Sequence, residues 1–485
     1  MALFPKPERL VYIDVPARRA IDAGETDVLV VGSGCAGLAA AWAAAQSGVD
    51  VTLAERGGFL GGDATISLVT VLMSYRSQRP LFPEKGRVHL LPRDAGGKPA
   101  VEGFFRVLVE RLVKAGGAIP PSEETGYTLS IDPEIYKLVT LELMQEAGVK
   151  LFLYANAFAV LGGGFVSGVV FDTKSGPVAI RAKAVVDCTG DGDICALAGA
   201  PFELGRESDH FTQPLTLFFL IDGFDREGFA GYVREHPDQW MDVYGLWDLI
   251  RKAEEAGDLK MCRENILMFG MPHRDKILVD STRVIKSNGT DAWDLTRAAV
   301  ESQMQLKELA FFLRKYVPGF ERSRVDQSAP ELYVRESRRI TGDYVLTADD
   351  VLSGRTFDDV VARGAYCIDL HNPAGKGTLV LHLPPDSVYD IPLRCLIPRD
   401  TENLLVADRA ISGTHMALAS YRIEAIGSAT GQAAGVCAAL AVKEGKSPRQ
   451  VDIRDIQRVL LEQGADLGHT GPAAKNRVFP PSYLP

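Results

Sequence analysis

Three glycines, Gly32, Gly34 and Gly37, stand between the apolar run Asp27-Val-Leu-Val-Val31 and the alanine-rich stretch Leu38 to Ser47. After a strand and before a helix, each glycine has a separate physical use. The first permits a tight turn, the second lets backbone amides close on a diphosphate, and the third lets the helix pack against its strand. The helix N-terminus adds partial positive charge at the same place. Cys35 and Ala36 complete the loop. Glu55 follows the next strand, Val49 to Ala54, 18 residues beyond Gly37, where its carboxylate is set to accept hydrogen bonds from an adenosine ribose. Strand, turn, helix, strand and acid together point to a bound dinucleotide.

The same spacing does not recur. Gly162-Gly-Gly164 and Gly190-Asp-Gly192 both fail it, so a single dinucleotide with a small second substrate fits better than two nucleotide domains. That dinucleotide is expected to be FAD. Flavin supplies the hydride chemistry, leaving the protein to position a substrate and move a proton.

Two histidines suit the proton transfer, because imidazole titrates near neutral pH. His415 lies in Ser412-Gly-Thr-His-Met416, read as a small-residue loop, and His371 ends Ile368-Asp-Leu-His371 before a proline-containing turn. Each competes with the plainer reading of a structural or solvated histidine, and His382 reads as a strand residue. Arg394 in Pro392-Leu-Arg-Cys395 is a charge set in an apolar strand and suits an anion clamp. Arg335, Arg338 and Arg339 favour ion pairing with Glu336, Asp343 or Asp349. The seven cysteines contain no CxxC pair, which argues against a zinc cluster or a redox disulfide, and no metal is expected.

These residues need a scaffold larger than one core. At 485 residues the chain exceeds the ~250–300 at which a single core stops growing. Apolar residues at 46% and charged residues at 24% exclude a largely disordered chain. Glycine numbers 47 without a Gly-X-Y period, so the surplus belongs in special loops rather than collagen. A net charge of −10 disfavours nucleic acid as the main partner. The first ten residues carry no apolar signal core, and no run of about 18 apolar residues is seen. A cytoplasmic protein away from membranes follows as the expectation, and a homo-oligomer remains open.

Asp132-Pro133-Glu134 predicts a helix start, and Leu151 to Thr189 alternates like a meander ending in the buried strand Ala184 to Cys188. Residues 200–390 are richer in aromatics and prolines, with a strand-like Leu215 to Ile221 and a long helix over Trp293 to Tyr316. Leu404 to Ala407 and a small-residue helix over Ile423 to Val442 return to the first pattern. The expected division is a nucleotide domain at 22–200, irregular over about 63–130, and a substrate or cap domain at 201–395. The nucleotide domain returns at 396–465, followed by a tail at 466–485.

Four stretches carry a family likeness. They are Val30-Val-Gly-Ser-Gly-Cys-Ala-Gly-Leu38 with Glu55-Arg56, Gly61-Gly-Asp-Ala-Thr65, Val186-Asp-Cys-Thr-Gly-Asp-Gly-Asp193, and much of Arg335 to Gly435. The chain resembles the bacterial FAD-dependent oxidoreductases of the glutathione-reductase-like superfamily. The resemblance implies an α/β fold: a Rossmann-like FAD-binding domain of glutathione-reductase type with an inserted α+β substrate domain. It implies that Gly61, Gly62, Ala64 and Thr65 pass under the flavin, and that Thr189, Gly190 and Asp193 close around its diphosphate and ribityl chain. Ile423 would begin a helix aimed at the flavin, with Arg422 adding a full charge just before it. The family usually has Ala-Gly-Arg where this chain has Ala407-Asp408-Arg409, so Asp408 either bonds the ribityl chain or faces solvent. Asp63 is also unusual. The expected activity is hydride transfer between flavin and a small organic substrate, with an anionic one among the alternatives, by an oxidase, dehydrogenase or ene-reductase. The rivals are a flavoprotein of RNA modification or cofactor assembly, and a non-enzymatic binding protein that keeps the fold.

Overall fold

Val28, Leu29 and Val30 are wholly buried, as a run with no polar alternation requires when both faces of a strand are covered. They belong to a seven-stranded mixed sheet in a computed structural model that describes residues 3–15, 18–79, 85–86, 88–92, 96–273 and 275–468. Its strands are β1 (Ile21–Val31), β2 (Val51–Ala54), β3 (Lys150–Phe152), β4 (Asn156–Gly162), β5 (Val166–Thr173), β6 (Gly176–Asp187) and β7 (Leu404–Val406). The parallel part runs β3-β2-β1-β6. The 12-residue β6 then serves two neighbours along its other edge. Its first half pairs antiparallel with β5, which pairs with β4, while Val185 to Asp187 pair parallel with β7. Thus more than 200 residues after β6, the chain returns to the same sheet edge.

The alanine and glycine richness is explained by one helix pair. Helix α1 (Cys35–Gln46) lies against the long helix α3 (Glu424–Glu444), which follows the short α2 (His415–Tyr421). A Cβ at Gly431 would fall 2.1 Å from the Ala36 carbonyl oxygen, and one at Gly435 would fall 2.2 Å from that of Ala40. Only glycine permits this approach, which sets the two helix N-termini side by side. Among the described residues α3 alone is long and apolar enough to cross a membrane, but 83% of that window is buried inside the protein. It is the central helix of the core.

A second sheet of six antiparallel strands has its own core, built on Phe219, Trp240, Phe312 and Phe320. The helix Ala292–Tyr316 packs beside it, capped by Asp291 accepting from Trp293 and Asp294 N–H. The run Leu215 to Ile221 is two strands rather than one. Leu215–Thr216 pairs with Tyr333–Val334, and Phe219–Asp222 joins the six-stranded sheet. Between them Leu217 donates its N–H to Thr282 Oγ1, a side-chain bond that interrupts the ladder. Of the expected tail at 466–485, residues 469–485 lie outside the described residues.

Candidate functional site

The glycine loop is built to leave one position open. Gly32 has φ +95°, and a Cβ there would sit 2.3 Å from the Cys188 carbonyl oxygen. A Cβ at Gly37 would lie 1.8 Å from the Gly32 carbonyl oxygen. At Gly34 the nearest atoms are 4.0 Å away, Asp408 Oδ2 and Gly62 Cα. This is the bare backbone that a diphosphate can approach. Gly61 donates its N–H to the Ser33 carbonyl at 3.0 Å, while Gly62, at φ +52°, rests against Gly34. Thr65 donates its hydroxyl to the Leu60 and Gly62 carbonyls, with Ala64 buried beside it. The second glycine pair is therefore clamped onto the first.

Glu55 accepts from Ser33 N–H at 2.8 Å, from Ser33 Oγ at 2.7 Å and from Gly57 N–H at 2.7 Å. It fixes the turn as well as facing the cavity. Arg56 pairs with Glu331 across the cavity mouth. Cys35 and Ala36 open α1, and burial raises the Cys35 thiol, reinforced by Asp408, Glu424 and Asp63.

The opposite wall depends on Asp187, a fully buried residue within the Val186 to Asp193 motif. It accepts from Thr189 N–H and Oγ and from Cys195 N–H, and burial still pushes its carboxyl up. Thr189 Oγ1 accepts in turn from Asp193 N–H at 2.9 Å. Gly190 is needed because the Arg409 guanidinium lies over it, 2.8 Å from where a Cβ would be. Arg409 donates to Asp63 at 2.9 Å and to Asp191 at 3.0 Å, so the unusual Asp63 has a partner. Asp193 pairs with Arg338 at 2.7 Å. Asp408 stands at φ +70° with its carboxyl pushed up to about 6 by burial, with Asp63 adding to the rise and Arg409 opposing it. Ile423 is the N-cap of α3, and Glu424 begins the helix with a buried, unpartnered Oε2. Burial first, then Asp63 and Asp408, hold Glu424 well above the usual carboxylate range.

Between these walls is a cavity of about 470 Å³. One side is the glycine loops, Asp63, Asp408 and Glu424. The other is supplied by the inserted block through Leu217, Leu295, Ala299, Ala329 and Tyr333. The residues fit a diphosphate-bearing dinucleotide: the open Gly34 and the paired N-termini of α1 and α3 are at one place.

The three residues expected to react with substrate are not among those lining the cavity. His415 is the first residue of α2 rather than part of a loop, because Thr414 accepts from Ala417 N–H and caps a helix there. Its Nδ1 is 2.8 Å from Glu336 Oε1, and its buried Nε2 has no partner. Glu336, fully buried, also accepts from Arg339 at 2.6 Å and from Gln213 N–H at 3.0 Å. His371 Nε2 lies 3.3 Å from Asp369, which accepts from Arg422 at 3.1 Å, and Arg422 donates to Tyr333 OH at 3.0 Å. Burial, with Arg335 adding to it, lowers His371 to about 3, so it stays neutral near neutrality and is a poor proton carrier. Arg394 requires a correction. It lies in the 3-10 turn Leu393–Cys395, is 46% exposed, and makes a two-pronged pair with Asp359. Its guanidinium also lies 5.0 Å from the Tyr344 ring. No anion clamp is left there. Tyr333, Glu336 and Gln213 were invisible as site residues, since no local motif marks them, whereas Asp191 lies within the Val186 to Asp193 motif. Glu424 carried a signal as an acid in the first turn of α3.

The chain is similar to several known proteins. Over 209 residues the chain is 30% identical to a digeranylgeranylglycerophospholipid reductase of Methanopyrus kandleri, covering 42% of this chain and 50% of that protein. The chain thus spans about half the length of that relative. Among solved structures, p-nitrophenol 4-monooxygenase from Pseudomonas putida superposes with a TM-score of 0.46 at 12% identity, covering 91% of this chain and 85% of that one. A geranylgeranyl bacteriochlorophyll reductase-like protein from Thermoplasma acidophilum gives 0.44 at 13%, covering 91% and 84%. The model of the FAD dependent oxidoreductase family matches residues 27–460, nearly the whole described chain. With its glycine loops, its returning strand and its clamped diphosphate cradle, the protein belongs to the FAD-dependent oxidoreductase family.

Proposed function

We propose that this enzyme transfers hydride between a small organic substrate and its FAD, within a glutathione-reductase-type arrangement. The supporting observation is the two-sided cavity, whose cofactor wall comes from the glycine loops and whose other wall comes from the inserted block. We read 22–200 and 396–465 as the FAD-binding domain, 201–395 as the substrate domain and 466–485 as a tail. Bound FAD supplies hydride acceptance or donation at N5. The open backbone at Gly34 and the N-termini of α1 and α3 would hold the diphosphate, while Gly32 and Gly37 shape the turn. Gly61, Gly62, Ala64 and Thr65 would pass under the flavin, and Thr189, Gly190 and Asp193 would close around its diphosphate and ribityl chain. The apolar side chains of Leu217, Leu295 and Ala329 exclude water, which strengthens every polar contact within. His415, held by Glu336, is the remaining candidate to move a proton, with Nε2 as the free atom. We place the enzyme in the cytoplasm, acting on a small molecule and not on nucleic acid or membrane.

The test is an anaerobic screen of hydroxy acids, sugars, amines and enoates read by flavin bleaching. It should include a digeranylgeranylglycerophospholipid, since the matched relative is a reductase of that name. Bleaching, or reoxidation of pre-reduced flavin by an enoate, identifies the substrate and the direction. A colourless preparation that refuses added FAD sinks the proposal.

A further inference from the structure

Behind Tyr333 lies a group of buried arginines with fewer ion-paired carboxylates than cations among the described residues. Arg263, Arg283 and Arg335 are only 8%, 4% and 3% exposed. Arg263 and Arg335 share one buried carboxylate, Asp280, 3.7 Å from Arg263 and 3.4 Å from Arg335, and Arg335 also donates to the Pro214 carbonyl and Thr216 Oγ1. Arg283 has no ion pair among the described residues, and its guanidinium donates to the Asn372 and Gly377 carbonyls. His371 beside them adds no negative charge, and Asp369 is already committed to Arg422. Burial first, then Arg263 and Arg335, hold Arg283 down to about 10, with Glu264 opposing. Buried charge normally persists only when paired and hydrogen-bonded.

The donors are unsatisfied as well. Arg263 Nε, Arg283 Nε and Gln213 Nε2 are buried N–H groups without acceptors. Gln213 is fully buried and fixed in place: its Oε1 accepts from His371 N–H, and its own N–H donates to Glu336. Buried donors of native proteins almost always have a partner. The cluster adjoins the cavity, because the Arg335 guanidinium lies 5.1 Å from the ring of Tyr333, a cavity-wall residue.

We propose that Arg263, Arg283, Arg335 and Gln213 form an oxyanion subsite that takes the carboxylate or phosphate of the substrate, behind Tyr333. This rests on the flavoenzyme reading above and replaces the clamp expected at Arg394. Guanidinium forks match both oxyanions geometrically.

The test titrates the purified FAD-loaded protein with inorganic phosphate, acetate and succinate, against chloride at matched ionic strength, and follows the thermal midpoint. A saturable rise with phosphate alone identifies a phosphate site, and one with the carboxylates identifies a carboxylate site. Arg283→Gln and Gln213→Leu should each weaken that response about tenfold or more, the loss expected of a strong hydrogen bond. Arg283→Lys keeps the charge without the fork and should fall between. Arg324→Gln, an exposed arginine at 76% paired with Asp222, should behave as the parent protein. No stabilisation beyond chloride, or saturable stabilisation that survives both substitutions, overturns the proposal. The readout needs no turnover. A protein that bleaches with neutral substrates and ignores oxyanions therefore loses the subsite alone, whereas one that binds oxyanions but whose flavin no substrate bleaches loses the hydride-transfer reading alone.

Discussion

Asp408 combines a backbone constraint and a buried charge that a single substitution separates. Its φ of +70° is a conformation that asparagine adopts about as readily as aspartate, so Asp408→Asn preserves the turn and removes the ionisation. Burial lifts the carboxyl from 3.8 to about 6, with Asp63 contributing and Arg409 opposing. A rise of about two units corresponds to about 3 kcal/mol at ~1.4 kcal/mol per unit. Because the folded carboxyl holds its proton more tightly than the unfolded one, its stabilising contribution is complete below about pH 4. It is lost as pH rises through about 6. At pH 8 the ionised parent protein therefore carries a penalty of about 3 kcal/mol that the asparagine lacks.

The assay is thermal unfolding of the flavin-free protein from pH 4 to pH 8. For a chain of this length the unfolding entropy is on the order of 1 kcal/mol per degree. Asp408→Asn should then raise the midpoint by about 3 °C at pH 8 and leave it unchanged near pH 4. A variant that is less stable at pH 8 would mean that attraction to Arg409 outweighs desolvation. A difference that is constant with pH would mean that Asp408 does not titrate in this range. Either result refutes the reasoning.

Gly62→Ala puts a Cβ 2.6 Å from Gly34 Cα, backbone against backbone, and should abolish FAD retention on gel filtration without loss of helical signal; a yellow variant would contradict it. Arg409→Met strips the counter-charge from Asp63 and Asp191, and should cost about 2–4 kcal/mol in denaturant unfolding, the carboxylates being partly solvated. An unchanged midpoint would show that the pair contributes nothing. His415→Asn should keep the flavin bound yet slow its reduction by the true substrate ~10²–10⁴-fold. Identical reduction kinetics would remove His415 from the mechanism.

The parts of the site readable in the sequence are those built from neighbours along the chain. Gly32 to Glu55 is a strand, turn, helix and strand whose geometry is decided within one βαβ unit. The Asp132 cap, accepting from Glu134 and Ile135 N–H, is as local. The charge networks are not. Glu336 and His415 are 79 residues apart, and Asp63 and Arg409 are 346 apart. Such pairs leave no periodicity to find. Arg394 misled for this reason: its apolar flanks suggested an interior charge, but Asp359 meets it at the surface. At His415 the error was one of propensity. Ser412, Gly413 and Thr414 disfavour a helix interior, yet Thr414 is the residue that starts one.

The break between α2 and α3 shows why the inserted block and the cofactor fold depend on each other. Only Arg422 and Ile423 separate the two helices, and Ile423 is extended at ψ 136°. Had the helix continued, the N-terminus of α3 would carry no free N–H groups at the cavity. Arg422 holds the break open by donating to Tyr333 and to both the side chain and the carbonyl of Asp369, all on the segment that precedes the returning strand. Burial disfavours the charge of Arg422, but Tyr333 and Asp369 more than compensate, raising its pKa. The N-terminus of α3 thus lies at the cavity where Tyr333 and Asp369, both ahead of the returning strand, supply the partners of Arg422 at the break.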